Sequence, residues 1–389
     1  MRFGPPRRTL WGYAAQGRDF EMILHRLQHL SAAIFARLRR ALARAGAWIE
    51  ARPKLAPWLY AESEKSRETR YREFNGWYFA NFYEQEKMLA DQPRMDFYHA
   101  AIRRHIQPGD RVIDLGTGTG ILAAFAARRG AAKVYAIDHS EILRHARTLA
   151  AHNRIENVEF VASHSKDFVV DERVDVIVHE QMGDCLFDES MVANVSDLRD
   201  RLLKPGGLIL PSRFELFCEP IKVTDRRVVP HLWELNVHGI DYSCLERNRP
   251  QEPEYYHLRS SDQSLVEHFL GEPEPILSVD LHTVIETEMP LELHLTRTVV
   301  HAGRLDGFAV FFRARVDEDL CLSSGPLDRG RAPHWGFRIL RTDRDYFELG
   351  EILDFTLRVE RWTDPESWRW SYGRRSAIVP GSPVPATVG

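Results

Sequence analysis

VIDLGTGTGILAAFAARRG, residues 112–130, passes from a short apolar run through a glycine-rich turn into a helix-forming stretch. Val112 to Leu115 read as a buried strand, because the run is short, largely apolar and ended by a turn signal. Gly116, Gly118 and Gly120, with Thr117 after the first, make a tight turn, and Ile121 to Arg129 read as helix. Glycine there lets the backbone approach a ligand at a helix N-terminus. The dinucleotide spacing G-x-G-x-x-G is not met, because Ile121 stands where its third glycine would fall. The next apolar run, Lys133 to Ile137, ends in Asp138, and an acid at that strand end can accept hydrogen bonds from both hydroxyls of a ribose.

Outward from this unit the alternation continues. Val158 to Val161, Val174 to Val178 and Leu208 to Leu210 are apolar runs, and Ser140 to His152 and Ser190 to Leu203 have helical character. This is the rhythm of an α/β fold, a doubly wound Rossmann-like parallel sheet whose ligands bind at the carboxyl ends of its strands. The segment HEQMGDCLFDES, residues 179–190, leaves such an end and returns to a helix start, with Glu180 and Glu189 nine positions apart. Two carboxylates aimed at one point repel unless a cation neutralises them. A guanidinium suits them best, because its planar fork of N–H groups serves two carboxylates at once. The glycine turn, Asp138 and Glu180 converge on one rim. Taken without that convergence, the two glutamates would read as solvated loop acids.

These features, in this order, resemble the protein arginine N-methyltransferases, a family of class I S-adenosylmethionine-dependent methyltransferases, and the resemblance is to a divergent, bacterial member. It spans residues 74–375 and includes EKMLADQPR (86–94), LKPGGLILP (203–211), LWELNVHGIDYSCL (232–245) and PHW (333–335). The resemblance implies S-adenosylmethionine as cofactor. It implies that Arg94 pairs with the cofactor's methionine carboxylate, that Asp114, Gly116, Thr117, Gly118 and Gly120 line its methionine and ribose part, and that Asp138 holds the ribose. For adenine, Ser165, Lys166 and Asp167 can each be read at the matching position. Met88 and Met191 would face the transferred methyl, Glu180 and Glu189 would clamp the guanidinium, His334 would pair with Asp91 to anchor or relay protons, and Trp335 would shape the substrate groove. The segment 232–245 resembles the start of a helical dimerisation arm, which implies a homodimer. Departures concentrate in the substrate walls: Gln181, Asp184 and Asp188 replace aromatic residues, His179 replaces a serine, Gln85 a histidine, and Pro333 a threonine.

The 389 residues leave room for a basic amphipathic helical extension (1–60), a cofactor domain (61–211), an antiparallel, barrel-like β domain (212–375) with an arm at about 230–270, and a disordered Pro- and Gly-rich tail (376–389). In the extension, Ile23, Leu27, Leu30, Ile34, Leu38 and Leu42 recur at helical spacing beside Arg37, Arg39, Arg40 and Arg44. Packing on the protein is the preferred reading of that stripe, and membrane-surface contact the lesser one. A formal net charge of −4 gives no electrostatic case for nucleic acid. The four cysteines form no C-x-x-C pair, which points away from metal and disulfides and toward the cytoplasm. No apolar run approaches the ~18 residues of a membrane span.

The implied chemistry is an in-line attack of nitrogen on a sulfonium methyl. Three readings stay open at this point: methylation of arginine in protein or peptide; methylation of a small-molecule amine, hydroxyl or guanidine, favoured by Asp184 and Asp188; and a non-catalytic scaffold, against which the retained glutamates, Arg94 and glycine turn all count.

Overall fold

The computed structural model describes residues 75–375; the basic extension and the tail read from the sequence lie outside them. After a helical turn at 75–78 come helices α1 (Phe82–Ala90) and α2 (Gln92–His105), separated by Asp91. The Asp91 carboxylate accepts from Arg94 N at 3.0 Å and so caps α2, fixing Arg94 in its first turn. The α/β unit follows as β1 (Arg111–Leu115), α3 (Ile121–Arg129), β2 (Lys133–Asp138), α4 (Leu143–His152), β3 (Val158–Ala162), β4 (Val174–His179), α5 (Met191–Leu202) and β5 (Leu203–Leu210). The five strands are parallel, in the order β3-β2-β1-β4-β5. β1, β2 and β4 are buried along most of their length, as their near-continuous apolar runs require between two helix layers.

The expected helix at Ser140 begins at Leu143 instead, because Ser140 gives both its N–H and its hydroxyl to Asp138. β5 begins earlier than its apolar run, directly after α5, and its register against β4 shifts between Val174 and Val176. Pro205, Gly206 and Gly207 are accommodated there at the sheet edge.

The antiparallel part comprises β6 (Arg213–Val223), β7 (Asn236–Val237), β8 (Ile240–Asp241), β9 (His257–Ser260), β10 (Val266–Phe269), β11 (Leu277–Asp280), β12 (Glu292–Thr298), β13 (Gly303–Arg304), β14 (Gly307–Arg315), β15 (Cys321–Ser323), β16 (Phe337–Arg341), β17 (Tyr346–Phe347), β18 (Ile352–Arg358) and β19 (Arg369–Arg375). The main sheet runs β10-β6-β14-β16-β9, with β11 also on β6 and β15 on β14; β12-β18-β19 form a second sheet. Burial alternates along β12 and β18, and the Phe308 and Phe355 rings, 4.1 Å apart, join the two sheets. One continuous apolar core runs from Phe97 of α2 through the parallel sheet to Trp368.

The segment expected to be a helical arm is not α-helical. It consists of 3₁₀ turns at Leu232–Glu234, Ser243–Asn248 and Pro253–Tyr256 around the β7–β8 hairpin. Its Trp233 joins an aromatic cluster: His231 stacks on Trp233 at 4.7 Å, Tyr255 and Tyr256 adjoin, and the Arg249 guanidinium lies 4.8 Å from the Trp233 ring.

Candidate active site

The glycine turn sits between β1 and α3 as expected, with Gly116, Gly118 and Gly120 all at positive φ. Gly116 and Thr117 donate to Ile137 O, which ties the turn to the end of β2. A side chain on Gly120 would lie 3.0 Å from the Phe160 ring, and one on Gly118 would lie 3.0 Å from Gln85 Oε1. Gly118 N and Ser140 reach opposite oxygens of Asp138, so that acid organises the rim. Asp114 takes Thr117 Oγ1 at 2.6 Å and Ala123 N at 2.9 Å on one oxygen, while its other oxygen, Oδ1, is buried without a partner. Burial pushes its pKa up to about 7, against the pull of those two bonds.

Glu180 follows β4, and its Oε2 holds the guanidinium of Arg94 at 2.8 Å. Arg94 also donates to Met88 O at 2.7 Å, and its buried Nε has no partner. The resemblance placed Arg94 on the cofactor carboxylate; in this structure its ion-pair partner is Glu180. Glu189 lies just before α5, and among the described residues no hydrogen bond or ion pair reaches its carboxylate. Burial, then the charges of Glu180, Asp188 and Asp184, push its pKa well above the ordinary carboxylate range, and Arg94 works against them. Met88 on α1 and Met191 opening α5 are both buried.

His334 and Asp91 do meet, but not through the imidazole. The His334 backbone N–H donates to Asp91 Oδ2 at 2.8 Å, and ring Nδ1 is buried without a partner. Burial first of all holds the imidazole pKa below its ordinary value. Asp91 therefore joins two segments, capping α2 with one oxygen and holding residue 334 with the other. Trp335, expected to shape a groove, is buried; its indole N–H donates to Met182 O at 2.5 Å, and Gly336 N donates to Asp184 Oδ1 at 2.9 Å. Of the three residues read for adenine, Ser165 is buried, and Lys166 and Asp167 are exposed.

One site contact escaped the sequence reading. Tyr98 donates to His179 O at 3.0 Å and sets the exit of β4. Its signal was available: it lies four residues after Arg94, on the same face of α2.

A family model described as ribosomal protein L11 methyltransferase matches residues 99–212. The protein arginine N-methyltransferase PRMT10 of rice, Oryza sativa subsp. japonica, is 34% identical over 292 residues, covering 67% of this chain and 76% of the relative. The chain belongs to the protein arginine N-methyltransferase family. The solved structure of Arabidopsis thaliana protein arginine methyltransferase 10 superimposes with a TM-score of 0.62 at 28% identity, over 73% of this chain and 91% of that one. The Trypanosoma brucei enzyme–prozyme complex, solved with AdoHcy, shares the fold with a TM-score of 0.63 at 24% identity, over 72% and 88% of the two chains. The rice and Arabidopsis relatives are plant proteins, so the expectation of a bacterial member is not borne out.

The cofactor implied by the family is S-adenosylmethionine, and the rim fits it. Asp114 Oδ1 and Arg94 Nε are buried polar atoms without partners, and at Gly116 a Cβ would meet nothing nearer than Glu180 O at 4.0 Å. Asp138→Ala should weaken S-adenosylhomocysteine binding by about tenfold or more, since hydrogen bonds to a charged acceptor are worth about 1.5–3 kcal/mol each. Calorimetry on the folded variant checks this, and unchanged affinity would remove Asp138 from the cofactor site.

Proposed function

We propose that this chain transfers methyl groups from S-adenosylmethionine to guanidinium nitrogens of arginine in proteins. The observation that carries the reading is that Glu180 already holds a guanidinium, that of Arg94, at 2.8 Å, while no hydrogen bond or ion pair from the described residues reaches Glu189. The rim therefore has the chemistry for a planar cation, with one carboxylate partly engaged and one free. When bound, the cofactor supplies a methyl on a positively charged sulfur. The residues of the chain supply alignment and charge. Guanidinium lone pairs are delocalised, so the free base-like character of one nitrogen has to be enforced. Glu180 and Glu189 would draw positive charge onto the nitrogens that do not react and stabilise what develops. Glu189, with its raised pKa, is suited to take up the proton. Met88 and Met191 are proposed to limit the space around the methyl, and the Asp91–His334 link to hold the wall behind it.

The test is transfer of labelled methyl to an arginine-rich peptide pool and to small amines and guanidines in parallel. Methylarginine in the hydrolysate is the expected product; label confined to other acceptors would favour the small-molecule reading.

The proposed working form is a homodimer. Val229, Leu232, Val237 and Ile240 are exposed apolar residues on one segment. A cavity of about 240 Å³ opens between α3 and α4, lined by Leu89, Ile121, Phe125, Leu149 and Phe160 among others. In the proposed dimer the exposed segment of one protomer docks on this cavity of the other across a two-fold axis. Light scattering at micromolar concentration should give twice the chain mass, and Val237→Asp with Ile240→Asp should halve it. A monomeric wild type would contradict the claim. The division into a cofactor part at 61–211 and a substrate part at 212–375 is retained as part of this proposal, with the cytoplasm as the place of action. All four cysteines are free, which suits a reducing compartment.

A further inference from the structure

The loop that carries Glu189 is held in an unfavourable backbone conformation. Leu186 at φ 72° and Ser190 at φ 55° are both left-handed without being glycine. Such residues persist where surrounding contacts over-determine them. The backbone contacts are Leu186 N to Gly183 O, Phe187 N to Cys185 O and Ser190 N to Phe187 O. One side chain completes the set. Asp188 folds back and accepts from Cys185 N at 3.1 Å through Oδ1. Its carboxylate lies on the bare face of Gly183, where a Cβ would fall 2.1 Å from that oxygen. Among the described residues no other side chain hydrogen-bonds the backbone between residues 183 and 190.

We propose that Asp188 is a positioning residue for Glu189: its carboxylate clasps the loop so that the adjacent glutamate faces the methyl acceptor, and its charge sets the pH range in which that glutamate accepts a proton. The proposal rests on the reading of Glu180 and Glu189 as the guanidinium clamp. The clasp explains why glycine stands at 183, since any larger residue would displace the aspartate. The groups facing Glu189 are Glu180 from the end of β4, Asp184 and Asp188 from its own loop, Arg94 from α2 and Tyr78 from the helical turn at 75–78. Asp188 itself is opposed by Asp184 and partly balanced by Arg338 of β16. Burial, then Asp184, places its pKa at about 6, so above that pH it adds a negative charge beside Glu189. Removing that charge lowers the pKa of Glu189, and the acid limb of the rate profile then moves to lower pH.

The experiment compares Asp188→Asn, Asp188→Ala, Gly183→Ala and Glu189→Gln, each full length, with labelled S-adenosylmethionine and an arginine-rich peptide. S-Adenosylhomocysteine calorimetry and circular dichroism confirm that each variant is folded and binds cofactor. Asp188→Ala and Gly183→Ala should lower kcat by about tenfold or more with peptide KM little changed, as a misplaced group does. Asp188→Asn keeps the acceptor oxygen and should restore most of kcat, while its acid limb moves to lower pH. Wild-type kcat in Asp188→Ala, or an asparagine variant no better than alanine with an unmoved acid limb, overturns the proposal. Activity retained by Glu189→Gln would instead overturn the clamp reading beneath it, and the proposal with it.

Discussion

Glu180→Gln and Glu189→Gln should each reduce methyl transfer to arginine by about 10²–10³-fold, the cost of about 2.7–4 kcal/mol typical of removing one preorganised charge-stabilising contact. The two variants should differ in their side effects. Glu189 has no hydrogen-bond or ion-pair partner among the described residues, so Glu189→Gln should leave S-adenosylhomocysteine affinity close to wild type. Glu180 holds Arg94, so Glu180→Gln frees that guanidinium and should alter cofactor affinity more than its neighbour does. In the wild type the rate should fall as pH falls. Burial, then the charges of Glu180, Asp188 and Asp184, raise the Glu189 pKa, so acid pH protonates that carboxyl and removes charge that grips the substrate. Stopped-point assays with labelled methyl across pH, alongside calorimetry, separate these effects. Full activity in both glutamine variants would end the clamp reading.

Arg297→Ala should destabilise the fold by about 3–5 kcal/mol, because it strands a carboxylate in the interior. Glu219 on β6 is fully buried, and Arg297 on β12 meets it with both prongs, Nε at 3.0 Å and Nη2 at 2.7 Å. Arg297 Nη2 also reaches Glu274 O at 2.6 Å, and Glu274 N donates to Glu219 Oε1 at 3.0 Å. Despite these bonds, burial leaves the Glu219 pKa above its ordinary value, so the pair is held at some electrostatic cost. The double variant Glu219→Met with Arg297→Met should therefore recover most of the loss, as apolar replacements of buried pairs commonly do. Urea unfolding checks both statements. A change below about 1 kcal/mol in Arg297→Ala would mean that water reaches Glu219, contrary to its burial.

The inner strands of the parallel sheet were legible because they are covered on both faces and so spell themselves as short apolar runs. Val174–Val178 and Lys133–Asp138 are examples, the second marked at its end by the acid that caps the glycine turn. Legibility failed where local chemistry overrode pattern. Ser140 looks like a helix start but is bonded to Asp138, so α4 starts three residues later. Lys204, Pro205, Gly206 and Gly207 look like a turn, yet they form the bulged beginning of an edge strand. The stretch 232–245 carries apolar residues at near-helical spacing, but Asn236 and Gly239 turn the chain and the aromatic cluster absorbs Trp233. Within the candidate site, the sequence named residues but not their partners. Arg94 and Glu180 are 86 positions apart, and the sequence offered no sign that they would meet. The Asp91–His334 link was expected through an imidazole and runs through a backbone N–H, a distinction that residue type does not encode.

The most direct measurement of the central claim uses two peptides of identical sequence, one with a single arginine and the other with lysine in its place. Each is incubated with the full-length protein and isotopically labelled S-adenosylmethionine, and fragmentation mass spectrometry locates the label. The expected result is labelled methyl on the guanidinium of the arginine peptide and none on the lysine peptide. Label on neither peptide, from a preparation shown by calorimetry to bind S-adenosylhomocysteine, or equal label on both, would contradict the claim that Glu180 and Glu189 select a guanidinium for methylation.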